Sequence, residues 1–113
     1  MAEVEINEQL KEEIFKKFKE ESKEIFKLMH SLEDNPKKGK ELGQVSGIVI
    51  KELRYNNFRF YFITNGHKLR ILEISQLQDL LIRFVRMSNK KEQQKTVDEI
   101  KNILRSFGEG GFK

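Results

Sequence analysis

The chain has 113 residues, 37% of them hydrophobic and 35% charged, with a net charge of +4, which predicts one globular domain with a modest core. No apolar run is long enough to span a bilayer, and the lack of cysteine excludes disulfides and thiolate chemistry. The acidic first residues are unlike a secretory signal, so we expect a cytoplasmic protein without membrane contact.

The charge is unevenly distributed along the chain. Residues 1–35 hold six lysines and ten acidic residues, whereas residues 36–113 hold sixteen lysines or arginines and eight acidic residues. The two parts therefore carry net charges of −4 and +8. A basic part of this kind is typical of proteins that bind a polyanion, which can be RNA, DNA or an acidic protein partner.

The first third of the chain predicts a short strand followed by helices. Val4-Glu5-Ile6 has the pattern of an edge strand, and Asn7 is a good N-cap for the helix that follows. Residues 19–23 lack an apolar side chain, which favours a helical hairpin of roughly 8–19 and 22–33. One unbroken helix is the alternative, because the apolar stripe keeps its phase across this gap. The stripe consists of Leu10, Ile14, Phe18, Ile25, Met29 and Leu32.

Two strands joined by an Asn56-Asn57 turn are predicted for residues 47–54 and 58–63. Side chains alternate along the second strand, so one face carries Phe58, Phe60 and Phe62, and the other carries Arg59, Tyr61 and Ile63. The phenylalanines are expected to pack on the helices. With Lys51 and Arg54 from the preceding strand, the other face is expected to be cationic and open to a phosphodiester. The alternative is a half-exposed strand with solvated charges, in which Arg59 pairs with a carboxylate such as Glu52 across the hairpin.

The next turn adds a cation to the same face. Asn65-Gly66 lies between two β-rich runs and predicts a hairpin in which Tyr61 pairs with Arg70. Arg70 then lies on the same face as Arg59 and Tyr61.

The last third of the chain is ambiguous in its first part. Residues 75–88 fit a helix that begins with a capping box at Ser75, and residues 80–87 also fit a buried strand. A C-terminal helix is predicted from Val97, Ile100, Ile103, Leu104 and Phe107. The glycines that follow end this helix and predict a loose tail over 108–113. With no repeat and no separable second part, residues 1–113 are expected to form a single domain.

Common catalytic motifs are missing from the sequence. It has no nucleophile elbow, no HExxH motif and no phosphate-binding glycine loop, and His30 and His67 lack the spacing of metal ligands. An enzyme built from this chain would use lysine, arginine, tyrosine or glutamate. Such residues can bind RNA, stabilise a pentacovalent phosphorane and move protons while the 2′-hydroxyl attacks the adjacent phosphate, without a metal ion or cofactor.

Three segments stand in a characteristic order. Leu32-Glu33-Asp34-Asn35-Pro36-Lys37-Lys38-Gly39 precedes Lys51-Glu52-Leu53-Arg54, and Phe58-Arg59-Phe60-Tyr61 follows. This order resembles the RelE/ParE toxin superfamily, in which L-x-x-N-P-x-x-G precedes K-x-L-R and then [YFW]-R-h-x-Y. The later segment Leu80–Arg86, with Lys90-Lys91 and Glu99-Ile100, resembles the HigB-type branch. The resemblance spans roughly residues 4–105.

The resemblance implies a RelE-like α+β fold, in which an N-terminal helical hairpin packs on a twisted antiparallel sheet and a C-terminal helix follows. It favours the strand for residues 80–87. It also implies the toxin of a type II toxin–antitoxin module. Such a toxin is an mRNA endoribonuclease that works on the ribosome, inhibits translation and is neutralised by a cognate antitoxin, and no metal or cofactor is implied.

Roles for individual residues follow from the same resemblance. Arg59 matches the arginine that contacts the scissile phosphate, and Lys51, Arg54 and Arg86 complete the expected catalytic set. RNA-binding roles are expected for Tyr61, Arg70, Lys90 and Lys91, with core-edge packing as the alternative for Tyr61.

The sequence departs from the pattern of the HigB-type branch at several places. Arg86-Met87 stands where the branch has two lysines, Val97 replaces the usual proline, and an insertion is implied near residues 66–79. No histidine or tyrosine stands in the C-terminal stretch where some relatives place an acid. The missing acid supports a second hypothesis, in which the chain is a non-catalytic binding protein of the same fold, either a gyrase inhibitor or a decayed toxin.

Overall fold

The computed structural model describes residues 3–64 and 81–112. The strands and helices of this part of the chain are, in order, β1 Glu3–Ile6, α1 Glu8–Phe18, α2 Ser22–His30, β2 Lys40–Val45, β3 Ile48–Tyr55, β4 Phe58–Thr64, β5 Leu81–Asn89 and α3 Gln93–Phe107. Short 3-10 turns lie at Lys19–Glu21, Ser31–Glu33 and Gly108–Phe112. The described chain is therefore α+β, as expected.

The five strands form one sheet in the order β1-β5-β4-β3-β2. Strands β2 to β5 pair antiparallel with their neighbours, whereas β1 lies parallel to β5 and pairs Glu3 with Leu81 and Ile6 with Phe84. The sheet is therefore mixed, and the expectation of a wholly antiparallel sheet is wrong. A long stretch of chain, rather than a hairpin, separates β1 from β5, so nothing local forces the two to run in opposite directions.

Two separate helices cover one face of the sheet. The Asn7 side chain caps α1 by accepting two backbone hydrogen bonds, at 3.0 and 3.3 Å. After α1 the chain turns at Lys19, whose φ is 49°, and the Ser22 hydroxyl donates to the Ile14 carbonyl at 3.1 Å. In one continuous helix, residues eight apart would be separated by roughly 12 Å. The predicted division into two helices is confirmed, and the unbroken alternative is wrong.

The first core lies between these two helices and the sheet. The Phe18 ring meets the Phe58 ring edge-on, with the centroids 5.1 Å apart. The core consists of Val4, Leu10, Ile14, Ile25, Met29, Leu32, Leu53, Phe60, Phe62, Ile82 and Phe84, with Phe18 and Phe58 packed at its margin. The predicted packing of the helical stripe on the three phenylalanines of β4 is confirmed, because helix and strand periods each place their apolar residues on one face.

Helix α3 covers the opposite face of the sheet and forms a second core. This core consists of Val45, Ile50, Tyr61, Ile63, Val85, Val97, Ile100, Leu104 and Phe112. The apolar spacing predicts the helix but not its position on the face that carries Arg59 and Tyr61. The predicted open cationic face is therefore wrong. The same face also carries apolar side chains, among them Ile50, Tyr61 and Ile63, and α3 packs on them.

The C-terminal residues differ from the expected loose tail. Gly108–Phe112 forms a 3-10 turn, and the Phe112 side chain is buried in the second core. The Arg86 guanidinium lies 5.4 Å from the centre of the Phe112 ring, and the Asn7 amide donates a hydrogen bond to the Phe112 carbonyl. Burial of the Phe112 ring therefore holds residues 108–112 against the second core, although their glycines alone predict a loose tail.

Residues 81–89 form a strand, so the strand alternative is correct for the described part of the ambiguous segment. Residues 75–80, the Asn65-Gly66 turn and Arg70 lie outside the described residues. Among the residues of 3–64 and 81–112, no helix has the length and apolar character needed to cross a membrane.

Candidate functional site

The strand register brings four of the eight predicted site residues, Arg54, Arg59, Tyr61 and Arg86, onto the α3 side of the sheet. Arg54 on β3 pairs with Arg59 on β4, and Arg59 pairs with Ser88 on β5. One row further along, Glu52 on β3 pairs with Tyr61 on β4. Side chains two apart on a strand share a face, so these two rows are neighbours. We call the group formed by Glu52, Arg54, Arg59, Tyr61 and Ser88 the polar cluster.

A β-bulge at Val85 decides which face Arg86 occupies. Tyr61 pairs with Arg86, but the next residue of β4 pairs with Phe84, so β5 has one extra residue at this point. Phe84 lies in the first core, whereas the Arg86 Nε donates to Glu99 of α3 at 3.1 Å. On a regular strand Phe84 and Arg86 would share a face. The bulge therefore places Arg86 next to the polar cluster.

Arg59 is buried against Glu52. The Arg59 side chain is 8% exposed and the Glu52 side chain 0%, and Arg59 Nε lies 3.8 Å from Glu52 Oε2. This distance suits an ion pair but not a hydrogen bond, and neither atom has a hydrogen-bond partner in the described part of the chain. The prediction that Arg59 reaches solvent is wrong, because α3 covers its face. The alternative pairing of Arg59 with Glu52 is the one observed.

Arg54 is the exposed cation of the polar cluster. Its side chain is 55% exposed, and its Nε donates a hydrogen bond to Glu52 Oε1 at 3.2 Å. The two oxygens of one buried carboxylate thus face two different arginines, one at the surface and one in the interior.

Tyr61 is fully buried and bonded to Ser88. The two hydroxyl oxygens are 2.7 Å apart, and the Ser88 hydroxyl also donates to the Asn89 carbonyl at 2.9 Å, which leaves Tyr61 as the donor to Ser88. Burial raises the pKa of Tyr61, and the Glu52 carboxylate raises it further. The phenol is therefore neutral at physiological pH. Of the two roles expected for Tyr61, packing is the one observed, and a buried ring does not stack on a base.

Lys51 lies on the opposite face of the sheet from the polar cluster. It stands three residues before Arg54, and an odd spacing puts two strand residues on opposite faces. Its Nζ donates to the Lys37 carbonyl at 3.0 Å and lies 5.9 Å from the centre of the Phe62 ring. Burial lowers the pKa of Lys51, and the Glu41 carboxylate opposes this shift. The prediction that Lys51 joins the other basic residues on one face is therefore wrong.

Of the remaining predicted residues that the structure describes, Arg86 lies next to the polar cluster and Lys90 and Lys91 follow the end of β5. Arg86 is held by Glu99, by the Val85 carbonyl at 2.7 Å from its Nη1, and by the ring of Phe112. Lys90 and Lys91 are exposed in the turn between β5 and α3. These two lysines are open to a polyanion, whereas Arg86 is engaged within the protein.

Two members of the polar cluster have no site role in the sequence prediction. The place of Glu52 could have been predicted from the sequence, because Glu52 stands two residues before Arg54 on the same strand and therefore lies on the same face. Ser88 carries none, since its contact with Tyr61 depends on the register between β4 and β5.

The arrangement can bind an anion without rearrangement only through exposed groups such as Arg54. Tyr61 is fully buried and the Arg59 side chain is 8% exposed, so neither presents an open surface to a ligand. A cleft of about 350 Å³ lies beside the cluster, between α1, the end of β5 and α3, and Ser88, Lys17 and Lys95 help to line it. Within the described ranges, no three His, Cys, Asp or Glu side chains are grouped to hold a metal ion.

Comparison of the chain with protein-family models, with curated proteins and with solved structures finds no match.

Proposed function

We propose that the protein is the toxin of a toxin–antitoxin pair and cleaves mRNA by attack of the 2′-hydroxyl on the adjacent phosphate. One observation carries this proposal. Arg54, Arg59 and Arg86, three of the four residues expected to be catalytic, lie on one face of three neighbouring strands, with Tyr61 among them. The order of elements from β1 to α3 agrees with the fold that the RelE/ParE resemblance implies.

The proposed chemistry assigns a task to each group. The 2′-oxygen attacks phosphorus and the bond to the 5′-oxygen breaks, which yields a 2′,3′-cyclic phosphate and a free 5′-hydroxyl. A guanidinium stabilises the charge that builds on the phosphorane oxygens. The proton of the 2′-hydroxyl passes to a base, for which Glu52 is the candidate, and the neutral Tyr61 phenol can return a proton to the 5′-oxygen. Because both groups are buried, this cycle requires α3 to move away from the sheet.

The proposal is tested by induced expression in cells, with growth and transcript 5′ ends as readouts. We expect growth arrest together with new 5′ ends at fixed positions within codons. We expect the Arg59→Lys variant to cleave mRNA more slowly by about 10²–10³, the typical effect of losing one strong charge-stabilising group. Lysine keeps the charge but lacks the planar set of donors that a guanidinium offers to a phosphate. Lys27→Ala, which removes an exposed cation on the other side of the molecule, is the matched control. Arrest with unchanged transcripts in the wild type would contradict cleavage.

A second candidate function, binding without catalysis, is favoured by a different observation. Arg59, Tyr61 and Arg86 are each engaged within the protein, by Glu52, Ser88 and Glu99. A gyrase inhibitor or a decayed toxin of this fold would need no open catalytic face. Growth arrest with intact transcripts and damaged DNA would support gyrase as the target.

We further propose an acidic, extended antitoxin as the partner of this protein, on the basis of the +8 charge of residues 36–113. Electrostatic attraction between such partners speeds their encounter, so the association rate should fall steeply as salt is raised. An association rate that does not change between low and high salt would contradict an acidic partner.

A further inference from the structure

We propose that Glu52 is a positioning residue that holds Arg54 ready for a phosphate of single-stranded RNA. The identity of the ligand rests on the proposed function. The positioning itself rests on the contacts between Glu52, Arg54 and Arg59, and it can be tested separately.

Arg54 is held by a hydrogen bond at its Nε. Its Nε is bonded to Glu52 Oε1 at 3.2 Å, and no described residue accepts a hydrogen bond from its Nη1 or Nη2. The side chain is more than half exposed, so these terminal nitrogens are accessible to solvent. A planar guanidinium held at Nε can still donate from both terminal nitrogens to two oxygens of one phosphate.

Glu52 is suited to this task because it cannot follow Arg54 into solvent. Its side chain is completely buried, and its second oxygen faces the guanidinium of Arg59. A carboxylate fixed in the interior restricts the rotamers of the long arginine side chain before the ligand arrives. Ordering a side chain in advance lowers the entropy cost of binding.

The same geometry gives Arg59 a task in the free protein, in addition to the one that the resemblance implies. Arg59 is buried next to Glu52, and its positive charge stabilises the buried carboxylate. In this assignment Arg54 makes the first contact with the phosphate, Glu52 orients Arg54 before the ligand arrives, and Arg59 keeps Glu52 in place. The tasks of Glu52 and Arg59 in the proposed cleavage begin only when α3 has moved.

The test uses the sign of an effect on RNA affinity. Glu52→Gln removes a negative charge from a basic protein, so electrostatics alone would tighten the binding of a single-stranded RNA oligonucleotide. Positioning requires the opposite result, because a neutral amide holds the guanidinium less firmly. We expect Glu52→Gln to weaken binding severalfold. Tighter binding by this variant would overturn the proposal.

The salt dependence of affinity supplies a second readout. Arg54→Ala should lower the slope of log K against log salt concentration by about 0.7, the change for one phosphate contact with a single strand. In the Arg54→Ala background, Glu52→Gln should no longer weaken binding, because there is no guanidinium left to orient. A Glu52→Gln effect that is equal in both backgrounds would show that Glu52 acts only on the fold.

Folding and ligand identity are controlled separately. Arg54→Lys keeps the charge at an exposed position, so it should not lower the melting temperature. It should still weaken RNA binding, because lysine has one nitrogen and cannot bond to Glu52 while two other nitrogens donate to a phosphate.

The NMR signal of the Arg54 Nε–H group, titrated with inorganic phosphate, reports on positioning without RNA. If RNA does not bind but phosphate shifts this signal in wild type and less in Glu52→Gln, the proposed function fails and the positioning stands. No response of the signal to either ligand would refute the positioning.

Discussion

Arg59 and Glu52 form an ion pair whose two side chains are 8% and 0% exposed. Both charges lose hydration there, and among the described residues their mutual attraction and the bond from Arg54 compensate for this loss. Such a pair is therefore sensitive to the loss of either partner.

We predict that Arg59→Met destabilises the protein. Methionine keeps much of the volume of arginine but leaves the Glu52 carboxylate without its interior partner. Removing one partner of a buried pair typically costs about 3–5 kcal/mol, and we expect the lower end because Arg54 remains bonded. Urea unfolding gives the free energy of unfolding. Arg54→Met, at an exposed position, is the control and should cost less than about 1 kcal/mol; equal losses in the two variants would contradict the burial of Arg59.

A second residue-scale prediction concerns Tyr61 and pH. Burial raises the pKa of Tyr61 above its ordinary value of 10.0, so the folded protein keeps this proton at pH values where the unfolded chain has lost it. The resulting stabilisation is complete below the ordinary pKa and is lost as the pH rises through the folded pKa. The free energy of unfolding of wild type should therefore fall at alkaline pH more steeply than that of Tyr61→Phe. The pKa shifts of Tyr55 and Lys51 are present in both proteins and affect both equally. If the free energies of unfolding of the two proteins change in parallel with pH, the prediction is wrong.

At the scale of elements, each face of the sheet holds its own helical layer. Phe60 lies in the first core, between the sheet and helices α1 and α2, and its ring centroid is 6.1 Å from that of Phe18. We predict that Phe60→Ala lowers the free energy of unfolding by about 3–5 kcal/mol, because it leaves a cavity between α1 and β4. Phe15→Ala, which changes an exposed ring on α1, is the control. A loss below about 1 kcal/mol for Phe60→Ala, measured by chemical denaturation, would remove Phe60 from the core.

The turn that leads into β2 depends on one glycine. Gly39 has a φ of +106°, and a Cβ added there would lie 2.8 Å from Cζ of the buried Phe62. We predict that Gly39→Ala lowers the melting temperature, since the added methyl group must displace the Phe62 ring and the backbone conformation is strained for alanine. Gly110→Ala adds a methyl group with no atom within 4 Å and should have little effect. An unchanged melting temperature for both variants would refute this close approach.

At the scale of the whole molecule, Phe112 connects the two ends of the chain. Its ring is buried in the second core against Arg86, while its carbonyl accepts a hydrogen bond from Asn7 at the start of α1. We predict that Phe112→Ala costs about 3 kcal/mol of stability, as expected for a buried phenylalanine. Phe107→Ala, at a position 74% exposed, should cost less than about 0.5 kcal/mol. Comparison of the two variants by urea unfolding distinguishes a docked C-terminal turn from a loose tail, for which neither variant would lose stability.

Local pattern alone predicted β1, α1, α2, β3, β4 and α3, but it did not predict β2 or decide between helix and strand for residues 81–89. The alternation along β4, the helical stripe over residues 10–32 and the Asn7 cap each act over a few residues, so the sequence suffices to predict the first core. The position of Lys51 on the opposite face from Arg54 is equally local, because it follows from the strand period. Only the tertiary structure decided that β1 runs parallel to β5, that a bulge at Val85 turns Arg86 toward α3, and that α3 buries Arg59 against Glu52. These features depend on contacts between segments that are distant in sequence, and no periodicity within one segment specifies which face of a sheet another segment will cover.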